Sequence, residues 1–333
     1  MGLEKPSMRI RKVINGQQVW RWEIAIYLYL AGMGAGSYVV GTITNWLFNP
    51  TLPKMISGFH LDLAKPALLW GPIFVAIGAP FLILDLGIKR RFLYACLNPK
   101  TSWVARGVLI LSTFIVLGLT VFGISFFYPQ LIIDRPSPWL LLEIVSVIFA
   151  IATALYTGIL LKSVKYVPLW DTPLLPVLFL ASALSTGSMG IILAMMGSGL
   201  LFSHAETILL AHKMVHPERI LIVVEGLILA LYLITRYRAK DQGGTSVRLL
   251  LFGKLKPLFW GGIVLIGFIF PFSLEYIYSR CPDCPELLYT TGFFLLCGGF
   301  FLRLGVLASG VKEQLPMQKL VEIKANLRVL KKD

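Results

Sequence analysis

Apolar residues fall in eight long blocks, at about 23–47, 66–88, 104–127, 139–162, 172–198, 219–236, 257–278 and 287–310. Short polar or charged stretches separate them. About 20 consecutive apolar residues are needed to cross the hydrocarbon of a bilayer as a helix. Backbone groups in lipid find no outside partners, so runs of this length and continuity predict helices rather than barrel strands. The pattern predicts an all-α polytopic membrane protein: eight transmembrane helices in two four-helix bundles, one domain over 1–333, with a charged tail at 311–333.

Composition agrees, and charge adds orientation. The 333 residues are 56% hydrophobic and 14% charged, with mean hydropathy +0.76. That leaves too little polar surface for a soluble domain. The net charge of +14 raises nucleic acid as a partner, but the cations are spread along the chain rather than gathered on one groove-reading module. Most lysines and arginines lie in the N-terminal stretch, in the loops after helices two, four and six, and in the C-terminal tail. The positive-inside rule then places both termini in the cytoplasm and the chain in the inner membrane. The first span is too long for a signal-peptide core and lacks a small-residue cleavage site, so it reads as a retained helix.

Chemistry is sought in polar side chains that interrupt these blocks, because an ionisable group at membrane depth is costly unless paired or wetted. Asp85, near the end of helix two, has Lys89, Arg90, Arg91 and Arg106 as nearby cations. It is either a functional carboxylate or a helix-end cap at headgroup level. In helix one, Glu23 and Tyr27 are four apart and form one polar ridge. Gly32 and Gly36 share a face open to another helix or a flat ligand. Tyr156 in helix four falls at a depth similar to Tyr27, on the same membrane side as Asp85, whereas Glu143 lies near the opposite end of that helix. Ser182, Ser185, Thr186, Gly187 and Ser188 make helix five a small, weakly polar face. Glu225, Glu275 and Arg303 in the last three helices read as a structural ion pair, of Glu225 or Glu275 with Arg303, or as a proton path. Thr101 or Ser102 can cap helix three, and the prolines of helix two predict kinks.

Cys281-Pro-Asp-Cys284 has metal-ligand spacing, but Cys96 falls on the other side and Cys297 within helix eight, so no four-cysteine site is expected. A disulfide and two inert thiols both remain open. His204, Glu206, His212 and His216 read as surface residues of an amphipathic interfacial segment. With every histidine outside the spans, no haem is expected.

Several ordered motifs together resemble the NrfD/PsrC family, the membrane subunits of polysulfide-reductase-type complexes. They are Asp85-Leu86-Gly87 to Arg91, Asn98-Pro99-Lys100-Thr101-Ser102-Trp103, Pro168-Leu169-Trp170 to Ser185-Thr186-Gly187, and Gly298-Gly299-Phe300-Phe301-Leu302-Arg303. The resemblance covers all eight helices. It implies a quinone, with menaquinone as the expected form, and an iron–sulfur partner subunit that serves a molybdopterin or other redox subunit. It implies no haem or iron–sulfur cluster in this chain. The family's quinone pocket lies among the first four helices and uses a polar residue of helix one and a tyrosine of helix four, which correspond to Tyr27 and Tyr156. In the polysulfide branch the helix-one residue is a histidine; here it is Tyr27, with Glu23 one turn away to take the proton-carrying role.

Quinol oxidation releases two protons and two electrons, so a site needs partners for both ring oxygens and a titratable group with a route to water. Tyr27, Tyr156 and Glu23 or Asp85 supply these, with Arg91 or Arg106 holding the carboxylate charged. The competing expectation is a secondary transporter or proton-conducting subunit with Glu225, Glu275 and Arg303 as its path, though such proteins tend to carry internal repeats and none is evident.

Overall fold

The computed structural model describes residues 22–48, 54–56, 59–61, 65–84, 102–197, 204–239, 241–281 and 284–313. The expected sites Asp85 and Arg91 lie outside these residues. The helices are α1 (Trp22–Phe48), α2 (Lys65–Leu84), α3 (Trp103–Phe127), α4 (Pro129–Asp134), α5 (Pro136–Lys162), α6 (Leu174–Gly197), α7 (His204–Arg238), α8 (Gln242–Leu251), α9 (Leu258–Tyr278) and α10 (Pro285–Ala308). Among the described residues, seven of these are long and apolar enough to cross a membrane, and α2 supplies a shorter apolar helix. The all-α expectation needs one small addition. Between α1 and α2 the chain forms an antiparallel hairpin, β1 (Lys54–Ile56) with β2 (Phe59–Leu61).

The helices pack as two groups of four. One comprises α1, α2, α3 and α5; the other comprises α6, α7, α9 and α10. Helix α1 is the joint, because it packs closely on α2 in its own group and on α6 in the other. Glycine makes both approaches possible. A Cβ at Gly34 would overlap the Gly71 carbonyl of α2, and one at Gly36 would overlap the Ala183 backbone of α6. Lipid tails are as apolar as leucine, so helices in a bilayer associate through this close backbone contact rather than through hydrophobic expulsion.

Local sequence explains several further details. Ser102 caps α3 as expected, its Oγ accepting from the Ala105 N–H at 3.3 Å. Pro72 and Pro80 are carried inside a continuous α2, not at breaks. The Pro168-Leu169-Trp170 turn, which follows α5, is fixed to the second group: the Trp170 indole donates to the Val306 carbonyl of α10 at 3.0 Å, and the Leu169 carbonyl accepts from the Tyr232 hydroxyl of α7 at 2.9 Å. The first half of α9, Leu258–Ile269, is wound as a π-helix before it tightens to α-helix over Phe270–Tyr278. Its Gly267 faces Gly298 of α10 so closely that neither could carry a side chain without a shift.

The segment around His204 to His216 departs from expectation. It is not a separate interfacial piece but the start of α7, which runs unbroken through Pro217. Proline's missing N–H matters least in the first turn of a helix, and an interior proline usually bends it without ending it. His216 is exposed, as expected.

Candidate functional site

Helix direction sets the depth of each polar group. The α5 end at Lys162 and the α7 end at Arg236 and Arg238 mark one basic face. Tyr27 is five residues in from the start of α1, Tyr156 is six from the end of α5, and Arg303 is five from the end of α10. At 1.5 Å per residue all three lie within about 10 Å of that face.

The two phenols are brought together. Tyr27 and Tyr156 are both fully buried, and they lie within electrostatic reach of each other. The Tyr156 hydroxyl donates to the Trp103 carbonyl at 3.1 Å. Its ring is accommodated by Gly107 of α3, where a Cβ would overlap the phenol. Nothing in the sequence pattern alone marks Gly107, since a lone glycine in an apolar run carries no signal until its neighbour is known.

Among the described residues the Tyr27 hydroxyl has no hydrogen-bond partner, and neither has Glu23 Oε2, which is also buried. Buried polar atoms are nearly always satisfied by protein or water. Two orphans one helical turn apart are therefore the mark of a place where something else supplies the bond. At the basic end of α5 is a cavity of about 480 Å³ lined by Trp103, Ile159, Lys162, Ser163, Lys165, Pro173 and Pro176. Ile159 is one turn from Tyr156, and Trp103 is the residue whose carbonyl holds the Tyr156 hydroxyl.

Of the two expectations for Gly32 and Gly36, another helix or a flat ligand, the structure shows the close approach of protein groups. Gly36 admits the backbone of α6, and Gly32 admits the guanidinium of Arg303. Arg303 is wholly buried: Nε donates to the Leu28 carbonyl at 3.2 Å, and Nη1 donates to Ser182 Oγ and the Gly299 carbonyl, each at 2.9 Å. The guanidinium also lies 5.5 Å over the rings of Tyr29 and Phe179. Glu225 supplies the opposite charge, within electrostatic range and against the hydroxyls of Ser182 and Ser185.

Glu275 does not join that pair. Its Oε2 is 3.7 Å from Arg219 Nε, and its backbone carbonyl accepts from Arg219 Nη2 at 2.9 Å. It faces Glu218, a fully buried carboxyl that the apolar pattern assigns to a loop. A helix continued back through Pro217 reveals it, because Glu218 and Glu225 are seven apart and share a face. Glu143 is also remote from the phenols. At the opposite end of α5 its Oε2 accepts from the Trp46 indole at 2.9 Å, tying α5 to α1. The Arg106 guanidinium lies over the Trp103 ring at 4.6 Å. Cys281 and Cys284 are free, exposed thiols. Among the described residues, no three His, Cys, Asp or Glu side chains gather as a metal site.

Known proteins share this sequence over nearly its whole length. The family model described as "Polysulphide reductase, NrfD" matches residues 12–313. The chain belongs to the NrfD family. It is 30% identical over 315 residues to the polysulfide reductase C subunit of Wolinella succinogenes, covering 88% of this chain and 94% of that one. It is 27% identical to the protein NrfD of Escherichia coli, covering 88% and 95%, and 26% identical to the NrfD homolog of Haemophilus influenzae, covering 88% and 94%. The NrfD match spans both helix groups, so the phenol pair and the buried arginine both lie within family sequence. It is a membrane protein of a reductase family.

Proposed function

We propose that this chain is the quinone-reactive membrane subunit of a multi-subunit oxidoreductase, binding quinone or quinol between α1, α2, α3 and α5 and exchanging electrons with an iron–sulfur subunit docked on its basic face. The expected carrier is menaquinone, the membrane the inner one, and the basic face the cytoplasmic one. The catalytic subunit beyond the iron–sulfur protein would be a molybdopterin or other redox enzyme.

The observation that carries this reading is the Tyr27 hydroxyl, buried beside Tyr156 with no partner of its own among the described residues. A quinone has two ring oxygens that accept hydrogen bonds, and a quinol has two hydroxyls that donate them; the chemistry the ring supplies is a two-electron, two-proton interconversion. Tyr27 and Tyr156 can orient the ring, because a phenol both donates and accepts. Glu23, one turn nearer the basic face, is placed to take a proton from the Tyr27 side and deliver it toward water. The cavity lined by Trp103 of α3, Ile159 and Lys162 of α5 and Pro176 of α6 mixes apolar and basic side chains and offers a way in at the basic end. The surrounding walls are hydrophobic, as pockets for apolar ligands generally are.

The test is quinol-linked turnover of the assembled complex, with binding of a photoreactive quinone measured in parallel. Tyr27→Phe and Tyr156→Phe should each lower turnover and labelling while the complex assembles normally. Full turnover and labelling in both variants would refute the site.

A further inference from the structure

The second helix group holds a set of buried charges that quinone binding does not use. Glu218 of α7 and Glu275 of α9 are both completely buried and face each other. Among the described residues, three of their four carboxyl oxygens, Glu218 Oε2 and both oxygens of Glu275, lack a hydrogen-bond partner. The fourth, Glu218 Oε1, has only the Ser185 hydroxyl at 3.5 Å. Arg219 is the near cation, with Nε 3.7 Å from Glu275 Oε2 and a side chain one-fifth exposed.

Charge counting makes the arrangement informative. Glu225 and Arg303 balance one another, which among the described residues leaves two carboxylates against the guanidinium of Arg219. An unbalanced charge at membrane depth is strongly unfavourable. One proton removes the excess, and held between the two carboxyls it also gives an orphan oxygen a donor and its neighbour something to accept. A like-charged carboxyl pair in contact ordinarily resolves itself in this way.

The same groups form a line through the protein. Ser185 lies against both Glu218 and Glu225. Ser182 lies against Glu225 and receives Arg303, whose Nε is bonded to the carbonyl of Leu28, the residue after Tyr27. The line thus begins beside the phenol site and ends at Arg219, toward the face opposite the basic one.

We propose that Glu218 and Glu275 share one exchangeable proton and form the terminal station of a proton relay that passes through Ser185 and Glu225. In the relay step, a proton released by quinol oxidation transiently neutralises Glu225; Ser185 gives its hydroxyl proton to Glu218 as it takes that proton from Glu225, so the hydroxyl ends unchanged and Glu225 returns to the carboxylate that faces Arg303. The proton displaced from the pair leaves past Arg219. The shared proton stands independently of the quinone site; its coupling to turnover rests on that reading.

The experiment uses the whole complex in proteoliposomes, with infrared spectroscopy of the carboxyl C=O stretch and protons moved per two electrons during quinol-linked turnover. The wild type should show a protonated-carboxyl band that shifts in D2O, and Glu218→Gln should abolish it. Glu218→Gln and Glu275→Gln should keep turnover within twofold of wild type while losing the protons carried beyond those released by quinol itself. Glu218→Asp should restore part of that yield. The proposal is overturned by a band that survives Glu218→Gln, by its absence from the wild type, or by an unchanged proton yield in both glutamine variants. Should the wild type show no quinol-linked turnover, the quinone reading fails, and the infrared result alone still decides whether the proton is shared.

Discussion

Gly32 of α1 lacks a side chain where the guanidinium of Arg303 needs the room: a Cβ there would stand 2.7 Å from Nη2 and 3.5 Å from Cζ and Nε. The arginine cannot step aside, because Leu28, Ser182 and Gly299 hold it from three directions. Gly32→Ala should therefore cost about 1–3 kcal/mol, the usual range for overpacking a tight interior. Gly123 of α3, with nothing within 4 Å of its would-be Cβ, is the control. There Gly123→Ala should be neutral or stabilise by up to about 1 kcal/mol through helix propensity. Thermal unfolding of the purified complex in detergent measures both.

Stability and activity should separate at Tyr27. Its hydroxyl is buried without a partner among the described residues, and a buried donor left unsatisfied costs about 1–3 kcal/mol. Tyr27→Phe removes that cost, so the melting temperature should hold or rise. Quinol-linked turnover should fall by on the order of 100-fold if the phenol takes part in proton transfer. A fall in both quantities together would assign Tyr27 to packing.

Glu143 should behave as a structural tie. Its carboxylate accepts the Trp46 indole N–H at 2.9 Å, and its carbonyl accepts from the Ser146 hydroxyl, which in turn meets Tyr38 at 2.8 Å. Trp46→Phe leaves that buried carboxylate short of a donor and should destabilise by about 1–3 kcal/mol. Glu143→Gln keeps an acceptor oxygen and removes the charge, so turnover should remain at the wild-type level. Denaturation midpoints and steady-state rates check the pair.

How much of the fold and the site is legible in the sequence follows from what each residue type reveals by itself. The eight apolar helices can be placed to within a few residues over most of their ends, because hydrocarbon thickness imposes a length on any apolar run. The common depth of Tyr27 and Tyr156 follows from helix direction and rise. The partners of Arg303 do not follow, since direction along a chain says nothing about rotation about a helix axis; the spacing of Gly32 suits a ligand as well as it suits the arginine it faces. Glu218 is hidden by Pro217, which resembles a boundary although α7 continues through it. Gly107 becomes meaningful only once Tyr156 is seen lying on it.

The buried pair of Glu225 and Arg303 yields the sharpest energetic prediction. Arg303 makes three hydrogen bonds and faces Glu225 in surroundings from which water is excluded. Replacing one member leaves the other charge uncompensated, and breaking a buried pair in this way costs about 3–5 kcal/mol. Arg303→Gln should therefore destabilise by that amount. Glu225→Gln alone should cost less, because Ser182, Leu28 and Gly299 still hold the guanidinium. If the two side chains interact as their placement implies, the double variant should be more stable than the sum of the single losses predicts, with a coupling of about 0.5–3 kcal/mol. Additive losses, measured by unfolding of all four proteins under one condition, would show that Arg303 is held by its carbonyl and hydroxyl acceptors and not by the carboxylate.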